Sequence, residues 1–241
     1  QADLPIPFAI DRGPVAPREA ALAVDLGLLL SFGVVHSLLA RRGAKRLVGR
    51  LMPAGLVRSV YTSIAGVQMV ALMAFWRPLP APVWSLEAPV ARDLVWALQG
   101  LGWALVAIGF WTTGNTHLFG LAQAWASARD VAYSGGRLVA RGIYRWMRHP
   151  LYAGTLLALW AIPSASEGRL LLASVFSAYT LVGARFEEHD LAREHGESYL
   201  EYRHSVPAYL PWPRPAPSTR ATLAAEATAR GADPGGPTAR E

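Results

Sequence analysis

The fold class that this sequence predicts is all-α: a polytopic integral membrane helical bundle. Three observations predict it. Of the 241 residues, 52% are hydrophobic and only 17% are charged, where a soluble domain carries about 25% charge. Several apolar runs are long enough to cross a hydrocarbon core of roughly 30 Å. Arginines gather at the ends of those runs, alternating between sparse and dense loops, as the positive-inside rule requires. The length suits one unit. With no cysteine in the chain, disulfides, thiolate metal sites, iron-sulfur clusters and a cysteine nucleophile are all excluded.

Taken in order, residues 1–19 form a Pro-rich extracytoplasmic segment. The first helix runs from Ala20 to Ala40 and is closed by Arg41 and Arg42. Residues 43–56 mix Lys45, Arg46 and Arg50 with Leu47, Val48, Leu51 and Met52, the pattern of a short interfacial helix ended by Pro53. A second long helix spans Arg58 to Trp76, and a third about Asp93 to Thr113. The apolar runs Leu151 to Pro163 and Leu170 to Ala184 are shorter, and at 1.5 Å per residue each covers only about 20 Å. The expectation is therefore three long transmembrane helices, a short helical hairpin, and a cytosolic C-terminal helix over Phe186 to Arg203. The membrane domain covers 20–213, and residues 214–241 have too little to bury to be ordered.

Charge adds orientation. The basic residues between 41 and 58 and between 129 and 148 are many, and those before the first helix and around Arg77 and Arg92 are few. Dense loops face the cytoplasm, which puts the start of the chain outside and the segments near 41–58, 114–150 and 185 onward inside. A net charge of +6 raises nucleic acid as a partner. The arginines are not collected on one face with interleaved aromatics, so membrane lipid is the expected partner and nucleic acid is not.

The polar residues that stand out lie at the cytoplasmic ends of the two short runs: Arg148, His149, Tyr152, Glu187, Glu188, His195, Tyr199, Tyr202 and Arg203. Glu188, Leu191, His195, Tyr199 and Tyr202 follow steps of three and four, so they share a stripe unless Gly196 interrupts the helix. Such a set suits a small zwitterion. Taken singly, Arg148 reads as a membrane anchor, His149-Pro150 as a helix start, and the paired glutamates as favourable first-turn acids. Their coincidence favours a site. His189 and His195 are six apart, no HExxH pattern occurs, and no metal site is expected. Gly100 and Gly102 lack a βαβ context and read as helix packing.

The segment GIYRWMRHPLYAG (142–154), followed by FEEHDLAREHGESYLEYRHSVPAYLP (186–211), resembles the isoprenylcysteine carboxyl methyltransferase superfamily of membrane enzymes that use S-adenosylmethionine. VHSLLARRGAKRLVGRLMP (35–53), VRSVYTSIAGVQMVALMAFWRPLPAPVW (57–84) and THLFGLAQAW (116–125) are similar to its methanethiol S-methyltransferase and NnrU-like branch. Members of that family carry one more transmembrane helix upstream. The resemblance implies that S-adenosylmethionine is the cofactor, held in a pocket facing the cytoplasm at a bacterial inner membrane, and that a small thiol is the substrate. By that resemblance Arg148, His149, Tyr152 and Gly154 bind cofactor with Glu187, Glu188, Tyr199, Tyr202 and Arg203. One glutamate takes cofactor hydroxyl or ammonium groups and the other fixes an arginine. His36, Ser37, Arg41, Tyr61 and Gln123 form the substrate end, with Arg58 and His117 in catalytic roles. The chain departs from the branch pattern at Val35, Val57, His117 and Ala122.

Other readings stay open at this stage. They are an isoprenylcysteine carboxylate or phospholipid amine as acceptor, a related NADPH-dependent membrane reductase, and a non-catalytic NnrU-like membrane protein.

Overall fold

A computed structural model describes residues 10–114, 119–129, 131 and 140–211. Within them the chain forms α1 (Arg18–Ala40), α2 (Arg42–Val48), α3 (Val57–Phe75), α4 (Pro89–Thr113), α5 (Leu121–Ala128), α6 (Pro150–Trp160), α7 (Glu167–His195) and α8 (Glu197–Ser205). The class is all-α with one small addition, a two-stranded antiparallel ribbon of β1 (Pro82–Ser85) and β2 (Ser164–Ser166). The expected tail falls outside the described residues.

Four helices, α1, α3, α4 and α7, are long and apolar enough to cross a membrane. Their surfaces are inverted relative to a soluble bundle: Leu30, Val34 and Leu38 of α1 are 53%, 55% and 59% exposed, and Trp111 of α4 is 81% exposed. Apolar side chains in that number face a solvent that is itself apolar.

The expectation of three long helices and a short hairpin is corrected at α7. The second apolar run does not stop at Ala184. It continues through Arg185, Glu187 and Glu188 to His195 as one helix of 29 residues, about 43 Å at 1.5 Å per residue. Charge does not end a helix; a residue able to turn the backbone does. Gly196, at φ +57°, is the first such residue, and it also divides the expected single charged helix over 186–203 into the end of α7 and the separate α8. The stripe from Glu188 to Tyr202 is therefore broken at Gly196, as the sequence allowed. The interfacial helix α2 stops at Val48, short of Pro53, and the other boundaries move by about a turn or less. Pro89 sits in the first turn of α4, where its missing N–H costs nothing, so α4 begins before Asp93.

Polar clasps group the loops at two ends. At one end Arg18 pairs with Glu167 at 2.9 and 3.1 Å, Ser166 donates to Asp11, and the Arg77 amide donates to Asp25 at 2.8 Å. Asp25 is fully buried, so its carboxylate serves to fix the chain leaving α3. The ribbon joins the same end, with the Leu86 amide on Pro163 and the Trp84 indole on Ile162. Beneath it Leu29, Leu72 and Trp76 form a core with Leu171, Val175 and Phe176. The opposite end carries the basic segments near 41–58, 140–148 and 185–203, which the alternation of charge groups together.

α6 is short, and it is held by backbone contact with α4. A Cβ added at Gly154 would lie 2.6 Å from the Gly102 carbonyl oxygen and 2.8 Å from the Val106 nitrogen; one added at Gly102 would lie 2.7 Å from the Ala158 nitrogen. These distances admit no side chain. Gly100, by contrast, has nothing within 4 Å of such a Cβ. Gly154→Val is expected to destabilise by at least the 1–3 kcal/mol of an overpacked core, and Gly100→Ala to be neutral or stabilising by about 0.5–1 kcal/mol. Thermal unfolding of the two variants in detergent checks the contrast.

Candidate active site

The end of the bundle opposite the ribbon collects the expected site residues. Arg148 and His149 immediately precede α6, Glu187 and Glu188 lie on the last turns of α7, and the segment after α8 returns across both. The Arg148 and His149 amides donate to the carbonyls of Pro207 and Ala208, each at 2.9 Å. His149 is the residue before α6, with Pro150 opening the helix.

Glu188 is the hub. Its Oε1 accepts from Arg148 Nε at 3.0 Å and Nη2 at 2.7 Å, and lies 3.0 Å from His149 Nε2. Arg203 Nε stands 3.9 Å from Oε2. The second terminal nitrogen of Arg148 donates to the carbonyls of Arg203, at 2.8 Å, and Val206. Arg148 thus binds three elements at once. His149 is buried between the rings of Tyr152 and Tyr209, with centroids at 5.3 and 5.6 Å.

Glu187 behaves differently. It is exposed and accepts one hydrogen bond from the Tyr152 hydroxyl at 2.7 Å, leaving carboxylate acceptor sites unused. Neighbouring residues differ by about 100° around a helix, so one glutamate turns into the clasp and the other toward the Tyr152 hydroxyl. Tyr199 is 1% exposed, and its hydroxyl is buried without a partner. Tyr202 donates to the Tyr144 carbonyl at 2.6 Å. Burial pushes the phenols of Tyr144 and Tyr199 up to about 12, with nearby glutamate charge adding to the shift, and raises Tyr202 as well.

A second cluster lies between α1, α3 and α7. His36 Nε2 and the Tyr61 hydroxyl share a short hydrogen bond. The His36 ring stacks on Phe32 at 5.4 Å and meets the edge of Tyr179 at 6.1 Å, and Ser37 lies near the Tyr179 hydroxyl. Tyr61 and Tyr179 are within electrostatic reach of Tyr152, and Tyr61 of Arg58 and Glu187. Arg41 stacks on Phe186, 4.5 Å from the ring centre, beside Glu187. Arg58 is exposed at the start of α3, where Ser59 donates to the Gly120 carbonyl at 3.2 Å. A Cβ at Gly120 would lie 2.8 Å from Arg58 Cβ, so this glycine lets the loop before α5 touch α3. Gln123 belongs to that contact, its carbonyl packing against Gly55. His117 lies outside the described residues.

Tyr179, Tyr144 and Tyr209 were not singled out from the sequence. Phe176, Tyr179, Gly183 and Glu187 follow steps of three, four and four, which marks Tyr179 as sharing a helix face with Glu187. No such spacing marks Tyr144 or Tyr209.

This geometry can be set beside known proteins. The family model described as phospholipid methyltransferase matches residues 97–198. The methanethiol S-methyltransferase of Mycobacterium tuberculosis is 39% identical over 211 residues, covering 88% of this chain and 86% of that protein. This chain belongs to the methanethiol S-methyltransferase family. Methanethiol S-methyltransferase 2 of Bradyrhizobium diazoefficiens is 36% identical over 206 residues, 86% of this chain and 79% of that protein. A methanethiol S-methyltransferase of a Pseudomonas species is 34% identical over 210 residues, 87% and 81% of the two chains. No solved structure matches.

Two outcomes follow for this methanethiol S-methyltransferase family member. Glu188→Ala leaves Arg148 and His149 without their shared acceptor and is expected to cost about 3 kcal/mol, whereas Glu187→Ala is not expected to lower the unfolding temperature. Denaturant or thermal unfolding of both variants checks this. The tyrosines set the alkaline limit: the unfolded chain ionises them near 10 and the folded chain near 12. Their contribution is complete below pH 10 and is lost as pH rises through 12. Phenolate absorbance measured against pH should therefore show late-ionising tyrosines that revert to ordinary behaviour on unfolding.

Proposed function

We propose that this chain transfers a methyl group from S-adenosylmethionine to methanethiol or a thiol of similar size. The observation that carries this reading is the extent of the match to the methanethiol S-methyltransferases. At 88% of the chain, a match of that length takes in the His36–Tyr61 cluster as well as the Arg148–Glu188 clasp. The phospholipid methyltransferase match covers 97–198 only, which leaves out His36, Ser37, Arg58 and Tyr61. It therefore speaks for the donor half and gives no support to a phospholipid amine as acceptor.

The residues present fit the donor. A buried hydroxyl without a partner on Tyr199 and a carboxylate with spare acceptor sites on Glu187 suit hydroxyl and ammonium groups. The faces of Tyr152 and Tyr179 suit a sulfonium cation. In this reading Glu187 and the Tyr199 hydroxyl are the groups that meet the ligand. Glu188 fixes Arg148, and Arg148, His149, Tyr202 and Arg203 act by holding α6, α7 and the returning segment together. Gly154 acts through the packing of α6. His36, Ser37 and Tyr61 line the acceptor end, Arg41 its rim. Arg58 supplies a positive charge that favours the thiolate.

When bound, S-adenosylmethionine supplies a methyl carbon already activated by its sulfonium. What the chain must supply is position, with donor and acceptor held in line at roughly 3–3.5 Å. The rigid clasp beneath Tyr152 and the aromatic cluster around His36 are suited to that. The basic end, which carries the site, faces the cytoplasm by the positive-inside rule.

Purified protein in detergent should bind S-adenosylhomocysteine by calorimetry and convert methanethiol to dimethyl sulfide with a labelled methyl donor. Glu187→Gln should weaken that binding by about tenfold or more, the loss of one charged hydrogen bond. Methylation of phosphatidylethanolamine or a prenylcysteine in place of the thiol, or binding of NADPH alone, overturns the reading. A reporter at the C-terminus should report cytoplasm, and an external signal reverses the orientation.

A further inference from the structure

His36 is an ionisable side chain one turn from the end of the apolar helix α1, packed among aromatic rings, a placement that points to use. Its two ring nitrogens have different surroundings. Nε2 is engaged by the Tyr61 hydroxyl, while Nδ1 is buried with no partner. The ring is fixed by Phe32 at 5.4 Å and Tyr61 at 4.8 Å. The same aromatics line two small crevices: Phe32 and Tyr179 one of about 10 Å³, and Tyr61 one of about 20 Å³ that also touches Leu39, Lys45 and Val57. With the ring proton on Nε2 and donated to the tyrosine oxygen, Nδ1 carries a bare lone pair that no protein donor occupies.

We propose that His36 Nδ1 is the base that takes the thiol proton, with Tyr61 as the residue that positions the ring. This rests on the thiol methyltransferase reading above and adds the group that makes the nucleophile. Apolar surroundings raise a thiol's pKa, so an acceptor drawn from the lipid side arrives as S–H. As the sulfur's electron pair forms the new bond to the methyl carbon, the S–H bond breaks toward Nδ1. The electron pair of the broken carbon–sulfonium bond stays on the donor sulfur, leaving a neutral thioether. His36 ends the step as imidazolium and later returns its proton to water. Arg58 cannot do this, because a guanidinium has no acceptor.

The test compares an aliphatic thiol with an aromatic thiol acidic enough to be a thiolate at the assay pH. His36→Gln retains an amide able to meet Tyr61 but is no base. Its rate with the aliphatic thiol should fall about a hundredfold or more, with a much smaller loss for the acidic thiol, and S-adenosylhomocysteine affinity and unfolding temperature should be unchanged. Tyr61→Phe should show the same selectivity in weaker form. Recovery of full activity by glutamine, or equal loss for both thiols, overturns the role and makes His36 structural. Wild-type protein inert toward both thiols overturns the function proposed above and the role together.

Discussion

One carboxylate oxygen organises this end of the bundle. Glu188 Oε1 accepts from Arg148 twice and lies within hydrogen-bond reach of His149, and Arg148 in turn holds two carbonyls of the segment that follows α7. The start of α6, the end of α7 and the returning strap therefore cannot move separately. A partly buried ion pair contributes little net stability over an apolar substitute, but breaking it strands a charge. Its value here is geometric. It holds Tyr152 at the height where it meets Glu187, and it leaves Glu187 as the carboxylate with capacity to spare.

The fold beneath this clasp follows from the same economy. α6 is too short to be held by side-chain burial, so it is held by direct backbone contact through Gly102 and Gly154. α7 is long because it must serve two environments, an apolar length against α1 and a charged end that carries the glutamates. At the other end, Arg18–Glu167 and Asp25–Arg77 tie α1 to α7 and to the end of α3. The clasp is thus built where the long helices end, and the proposed acceptor side is the His36–Tyr61 cluster between α1, α3 and α7.

Much of this was legible in the sequence because the signals were local. Apolar runs bounded by arginine located α1, α3 and α4, and the Arg148-His149 pair with the two glutamates pointed to residues that the structure brings together. What was not legible depended on three dimensions. Adjacent glutamates look alike in a string, yet a turn of about 100° per residue sends one into the clasp and the other toward the Tyr152 hydroxyl. The run ending at Ala184 seemed too short to span because its continuation was charged, although only Gly196 stops the helix. The ribbon between Pro82–Ser85 and Ser164–Ser166 pairs segments 80 residues apart, with no periodicity long enough to announce it. Tyr179 was hidden inside an apolar run, and only its spacing to Glu187 singles it out.

The central claim is a division of labour, in which Glu188 and Arg148 brace the site while Glu187, Tyr152 and Tyr199 meet the ligand. An experimental structure with S-adenosylhomocysteine bound tests it most directly. The account predicts ligand density against Glu187 and Tyr199 with Arg148 still on Glu188. Density that draws Arg148 off Glu188 and onto the ligand carboxylate, or that lies away from Glu187, contradicts it.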